Sequence, residues 1–300
     1  MKLSFAVLGG LYALAAAQCG TISNDKIQAL HASYAAAEAE AHVLGRRQSS
    51  ATYEIPTVFH VITESGTVSG GHVPQDLINR QFDYLNTAFG KHGFSFVLND
   101  TVYTRQPNWR RLDTPLVGAT AREMEMKRAL RRGDYATLNV YVTSFAQAGL
   151  LGWAFFPEAQ PTASELTRDG VVIATGSLPG SNFNGGTLIH EVGHWLSLEH
   201  TFRGRTQNDP LGGCRGSGDY ILDTPAESSS GGGCQIPANV NAGQDRDTCT
   251  GSLEVSNPSS IPGPDPIHNY MSYSADSCMS EFTPGQKERM LNAFGDLRAK

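Results

Sequence analysis

Beyond its first 17 residues, the chain contains no apolar run approaching the ~18 residues that a membrane-crossing helix needs. It also lacks an excess of positive charge, since 23 Lys and Arg face 29 Asp and Glu for a formal net charge of −6. An acidic balance offers no basic surface to a phosphate backbone or an anionic membrane, so neither nucleic acid nor membrane is expected as partner. Internal repeats and sustained heptads are missing too, which excludes a solenoid and a coiled coil. Cysteine is scarce: of five in 300 residues, Cys214, Cys234, Cys249 and Cys278 cluster in the C-terminal third and Cys19 stands alone. Four clustered cysteines allow three pairings, and spacing alone does not choose among them.

The N-terminus is informative in another way. Residues 1–17 combine Lys2, an apolar run and the small-residue end Ala15-Ala16-Ala17, which reads as a secretory signal peptide. Export carries the chain to an oxidising compartment, where cysteines pair. Residues 24–44 are rich in Ala, Glu and His and favour a helix with little core-forming face. The helix runs into Gly45-Arg46-Arg47-Gln48-Ser49-Ser50, a dibasic pair in a small polar context. We read it as a processing site rather than a solvated turn, so that 18–47 is a propeptide and 48–300 the catalytic domain.

Between residues 53 and 183 strands and helices interleave. Residues 57–62, 94–98, 138–145 and 170–174 are β-branched or aromatic runs that read as strands. Leu77, Ile78, Phe82, Leu85 and Phe89 fall at helical spacing over 75–89, and 121–132 reads as a second helix. The glycine-punctuated run 149–156 suits an edge strand. Residues 201–266 are dominated by Gly, Ser, Pro, Asn and Asp, a length of irregular chain that needs staples. A last helix is expected over 286–297, behind Thr283-Pro284-Gly285. The fold class is α/β (α+β): a mixed twisted sheet and helices above, a loop-rich, disulfide-stapled part below.

The segment with the most chemical content is His190-Glu191-Val192-Gly193-His194-Trp195-Leu196-Ser197-Leu198-Glu199-His200. On a helix, residues four apart differ by about 40° of rotation, so His190 and His194 leave one face as paired nitrogen ligands for zinc. Glu191 then stands where a general base reaches a water at the metal. His200 would lie roughly 15 Å along the axis from His190 if the helix continued. It can reach the same metal only if the helix stops near residue 197 and the chain turns back. The metzincin form of the motif puts a glycine at that turn, usually left-handed. This chain has Ser197, whose side chain costs on the order of 1–2 kcal/mol in that conformation.

These residues resemble the pappalysin group of metzincins, particularly its short secreted microbial and fungal members. The likeness continues through His200-Thr201-Phe202, Gly218-Asp219-Tyr220, Asp223-Thr224-Pro225 and His268-Asn269-Tyr270-Met271, and from Cys278-Met279 to Gln286. The resemblance implies a metzincin-like fold with zinc on His190, His194 and His200, and Glu191 as base and acid. It implies Met271 in a Met-turn beneath the metal and Tyr273 as a hydrogen-bond donor to the developing oxyanion. Asp276 would wall a pocket selecting Arg or Lys after the scissile bond. Asp219 and Thr224 would belong to a calcium loop. The implied disulfides are Cys214–Cys249 and Cys234–Cys278. Cys19-Gly20-Thr21 would then be a cysteine switch, its sulfur filling the fourth position on zinc.

The expected function is a secreted zinc endopeptidase, made as a latent zymogen and acting on extracellular proteins. The alternative is a secreted pseudoprotease that keeps the zinc fold as a binding module, with Ser197 in its favour. Asn99-Asp100-Thr101 is a glycosylation sequon expected on a surface loop; Asn257 is followed by Pro258. His31, His42, His60, His72, His92 and His268 have no ligand-like spacing and read as ordinary residues.

Overall fold

The computed structural model describes residues 18–45, 50–115, 118–180, 183–204, 209, 211–228, 246–250 and 261–299. The expected signal peptide, Arg46-Arg47, Cys234 and Asn257 lie outside the described residues. In chain order the elements are β1 (Gln18–Cys19), α1 (Asp25–Val43), β2 (Tyr53–Thr63), α2 (Gln75–Gly90), β3 (Phe94–Arg105), β4 (Arg111–Leu112) and α3 (Ala121–Leu130). They continue with β5 (Leu138–Phe145), β6 (Leu150–Ala154), α4 (Ala163–Arg168), β7 (Val171–Ala174), α5 (Gly186–Trp195) and α6 (Pro284–Ala293).

Seven strands form a sheet in the order β1-β6-β7-β5-β2-β3, with β4 paired to β5. β3, β2, β5 and β7 run parallel, β6 is antiparallel to β7, and β1 lies parallel to β6 on its outer edge. This is the mixed α/β sheet expected. The run 150–154 does lie outside β7, but its free edge is taken by β1, from the segment read as a propeptide. Asn99 is exposed, though on β3 rather than on a loop. It sits at a register shift, where Thr57 faces Leu98 and Val58 faces Asp100, so the sequon occupies a bulge on an edge strand.

Alternation along the strands splits the core. Leu138, Val140 and Val142 of β5 face a cluster with α2 and α5, including Leu85, Phe89, Leu188, Val192 and Trp195. Tyr141 faces the other layer, with Met126 and Leu130 of α3 and Trp153 of β6. The first layer places α5: the buried Gln81 amide of α2 donates to the Gly185 carbonyl at 3.0 Å, at the start of that helix. At its far end, Arg298 makes two hydrogen bonds with Asp169, at 3.1 and 3.0 Å, and stacks 3.8 Å over Trp195. α6 begins with a capping box in which Thr283 and Gln286 satisfy each other's backbone N–H groups.

Below the sheet, Cys214 and Cys249 are joined in a disulfide, as the resemblance implied. Cys278 is also disulfide-bonded. Cys19 is the free cysteine among the described residues.

Candidate metal centre and active site

α5 is buried over all ten residues and opens at Gly185, whose φ is 93°. Its first turn is held by Asp276, whose Oδ2 accepts from Asn184 N at 2.8 Å and Gly186 N at 2.9 Å. A carboxylate there satisfies orphan N–H groups and opposes the positive end of the helix. The helix stops where the third histidine requires. Leu196 N donates to Val192 O, Leu198 N donates to Gly193 O at 2.9 Å, and Ser197 between them takes φ 77°. Ser197 therefore occupies the left-handed position that the motif glycine would fill, and the chain turns back beneath α5.

The turn brings the three imidazoles together. The Nε2 atoms of His190, His194 and His200 form a triangle with 3.1 Å on every side. His190 Nδ1 donates to Tyr270 O at 2.7 Å and His194 Nδ1 to Leu198 O at 2.6 Å, which leaves Nε2 as the lone-pair atom on each ring. Burial, with the neighbouring His194, holds His190 down to about 3, and burial holds His194 down to about 4. His200 is lowered well below its ordinary value by burial and by the other two histidines. Neutral rings with converging lone pairs repel one another unless a cation sits among them. Tetrahedral zinc, with Zn–N bonds of about 2.0–2.1 Å, fits such a triangle. The Cys19 sulfur completes a group whose ligand atoms all lie within 4.8 Å of one another.

Glu191 points to the same place and is fully engaged. Its Oε2 accepts from the Cys19 thiol at 3.3 Å and from Thr21 Oγ1 at 2.9 Å. Burial pushes this carboxyl up to about 8 and the Cys19 thiol well above its ordinary value. Gly152 on β6 makes the approach possible: a Cβ there would lie 3.0 Å from Glu191 Cγ and 2.9 Å from Val172 O. The Tyr273 hydroxyl accepts from Cys19 N at 3.1 Å, and its ring lies 5.6 Å from His190 and 5.0 Å from His200 between centroids. Met271 is fully buried under the group, where Gly193 leaves it room; a Cβ on Gly193 would stand 2.4 Å from its sulfur.

Asp276 lines a cavity with Cys19, Thr187, His190, Tyr273 and Met279, so the structure places it beside the histidine group as well as at the helix start. Asp219 and Thr224 are both buried below, and burial pushes Asp219 up to about 8. Among the described residues the only grouping of three or more His, Cys, Asp or Glu ligands is Cys19, His190, His194 and His200.

The model of the pregnancy-associated plasma protein-A peptidase family matches residues 129–295, which spans α5, the turn and the Met271 loop. The chain belongs to this family. Within it, an extracellular metalloprotease of Colletotrichum graminicola is 41% identical over 256 residues, covering 84% of this chain and 79% of the relative. An extracellular metalloprotease of Pyricularia oryzae is 42% identical over 272 residues, covering 88% and 83%. Among solved structures, mirolysin in complex with compound 9 superposes with a TM-score of 0.60 at 27% identity, covering 82% of this chain and 92% of mirolysin. Mature Tannerella forsythia mirolysin in complex with a cleaved peptide gives 0.56 at 26% identity. As a family member the chain is a metallopeptidase with a metzincin-like fold.

Two site residues escaped the sequence reading. His31 of α1, read as ordinary, is completely buried with Nε2 3.1 Å from Ser197 Oγ and Nδ1 3.4 Å from Glu199 Oε1. Glu199 also accepts from Ser23 at 2.6 Å and pairs with Arg203 at 3.3 Å. Burial opposes its charge, yet His31, Ser23 and Arg203 hold it down to about 2. The one hint in the sequence was that Ile27 and His31, four apart, share a face on an otherwise featureless helix.

Proposed function

We propose that the chain is a secreted zinc endopeptidase made as a latent zymogen, with residues 1–17 a signal peptide, 18–47 a propeptide and 48–300 the catalytic domain. One arrangement carries the reading: the Nε2 triangle of His190, His194 and His200, with the Cys19 thiol facing it and Glu191 tied to Cys19 and Thr21. His190, His194 and His200 would hold zinc, and when bound the metal acts as a Lewis acid that makes water a nucleophile near neutral pH.

Glu191, freed of the propeptide, takes the proton of the attacking water and returns it to the leaving amine. Tyr273 loses Cys19 at the same moment, and the hydroxyl proton that it had pointed at the Cys19 carbonyl, 3.5 Å away, becomes available to the oxyanion. The edge of β6 becomes free to align an extended peptide through main-chain hydrogen bonds. Asp276 retains Oδ1 for Arg or Lys after the scissile bond, while Oδ2 remains on the helix start. Relatives named extracellular metalloproteases support export and protein substrates outside the cell. Calcium at Asp219 and Thr224 is part of the proposal because a cation there would relieve the cost of a buried carboxylate. Cys234–Cys278 and glycan on Asn99 complete it.

The test takes the secreted chain before and after cleavage at Arg46-Arg47, counts zinc and measures hydrolysis of a denatured protein. One zinc per chain in both forms is expected, with hydrolysis in the cleaved form alone and none after chelation or in Glu191→Gln. Zinc with no hydrolysis in the cleaved form would leave only the pseudoprotease.

A further inference from the structure

A second built feature flanks the metal centre on the side away from Asp276. The Asp276 cavity is reached past Leu151, before Gly152 on β6. Past the other end of the strand lies a cavity lined by Trp153, Phe155, Phe156, Glu158 and Arg168 from the main body and by Ile22 and Ile27 from the N-terminal segment. That segment follows β6 from Gln18 opposite Leu150 to Cys19 opposite Gly152, then donates Gly20 N to Gly152 O at 2.8 Å. It reaches the second cavity in the position a bound peptide would occupy along the same edge.

Beside that cavity the segment delivers a cation to Glu158. Lys26 Nζ lies 2.6 Å from Glu158 Oε2 and 3.8 Å from Glu165 Oε1. The two partners differ in kind, since the Glu158 side chain is 4% exposed and the Lys26 side chain 58%. Glu158 is built in: its backbone N–H is fixed by the Tyr135 hydroxyl at 2.8 Å, and its Oε1 accepts from Arg168 at 3.0 Å. Arg168 stands 3.8 Å from Glu165 and stacks over Phe155 at 5.1 Å. With Lys26 gone, two carboxylates face one guanidinium, and Glu158 Oε2 is left without its cation. Aromatic walls beside a fixed carboxylate suit a long side chain with an apolar stem and a charged tip.

We propose that Glu158 is a specificity-determining residue that recognises Lys or Arg on the acyl side of the scissile bond, and that Lys26 occupies its place in the latent form. The proposal rests on residues 18–47 being removed from a protease. It adds a second basic preference to the one at Asp276, on the opposite flank.

The test uses the secreted chain cleaved at Arg46-Arg47 and peptide pairs differing only by Lys or Glu at each of the four positions preceding the scissile residue. At one of these, kcat/KM should favour Lys about 5-fold, the scale of a partly screened ion pair. Glu158→Gln should bring that ratio close to one, and Arg168→Gln, which removes the competing cation, should raise it. The ratio is internal to each preparation, so loss of folded enzyme does not imitate the effect. Equal rates at all four positions, or a Lys preference that survives Glu158→Gln, would overturn the proposal. If Glu158→Gln cuts neither peptide, Arg168→Gln decides alone: a raised ratio supports the subsite and an unchanged one overturns it. No cleavage of any peptide by the parent chain would remove the protease reading and the subsite with it, an outcome distinct from cleavage without preference.

Discussion

The hydroxyl of Ser197 lies 3.1 Å from Nε2 of His31, across 166 positions of sequence. Burial lowers this imidazole from its ordinary value against the pull of Glu199, which favours the neutral ring with a single N–H. Nδ1 faces the Glu199 carboxylate at 3.4 Å, which can only accept. Nε2 is then the acceptor, and Ser197 donates to it. A glycine at 197 would ease the turn and have nothing to donate. Ser197→Gly should therefore stabilise the turn by roughly 1 kcal/mol while removing one hydrogen bond of similar size to α1. His31→Ala removes both contacts and should loosen the N-terminal segment by about 2 kcal/mol, or roughly 30-fold. Inhibition of the processed chain by a peptide of residues 18–44 measures this. Equal inhibition by the parent and His31→Ala peptides would contradict it.

If the chain is latent as proposed, the N-terminal segment restrains two atoms separately, the Cys19 sulfur and Glu191 Oε2, and the variants should show it. Cys19→Ser removes the sulfur facing the imidazoles and should allow zinc-dependent hydrolysis in the uncleaved chain. Thr21→Val releases one of the two contacts to Glu191 Oε2 and the Ala154 N–H that Thr21 accepts at 2.9 Å. Its effect should be smaller, on the order of 1–2 kcal/mol. Activity of both unprocessed variants on one fluorogenic peptide gives the order.

Asp276 holds the start of α5, and one substitution reports that role together with the proposed selection of Arg or Lys. Asp276→Ala leaves Asn184 N and Gly186 N without their acceptor, at a cost of about 1 kcal/mol and roughly 2–4 °C in Tm. The same change should abolish preference for Arg or Lys after the scissile bond. A Tm drop with an unchanged cleavage profile would confine the residue to the helix start.

Acid stability should depend on His60. It is wholly buried, stacks on Tyr141 with centroids 4.8 Å apart, and donates Nε2–H to Asn139 at 2.9 Å. Burial holds it down to about 4 from an ordinary 6.5. As pH falls, the unfolded chain takes up this proton first. The contribution is complete above pH 6.5, erodes between 6.5 and about 4, and amounts to roughly 3 kcal/mol in full. His60→Phe should flatten urea stability over that window, Asn139 Oδ1 keeping Arg132 N as its donor at 2.9 Å.

Local pattern announced much of this fold. Residues 138–145 were read as a strand with the bounds of β5, and 75–89 as a helix that the structure extends by one residue. His190, Glu191 and His194 were legible as candidate ligands and base because they lie within about one turn of α5. Other features have no local signature. β3 runs on to Arg105 because β2 pairs with it across Asn99-Asp100-Thr101, three polar residues with little strand propensity of their own. β1 is a two-residue strand, invisible until the partner edge is known. His31 and Glu158 acquire roles from contacts between the N-terminal segment and the rest of the chain, which no spacing encodes. The last helix was expected to Leu297, but its α-helical part ends at Ala293 and a π turn carries Phe294–Arg298. That wider turn belongs to the segment in which Arg298 meets Asp169 and Trp195.

The pairing of β1 with β6 also bears on how such a molecule survives before it is needed. A strand at a sheet margin offers unpaired donors and acceptors to any extended chain, including a neighbouring copy of itself. Here that margin is closed by residues 18–20 of the same chain. On the proposed function, a polypeptide concentrated on its way out of the cell would be spared sticking to its siblings by the same few residues that hold its chemistry in check. Solubility and restraint would then be lost together, at one cut.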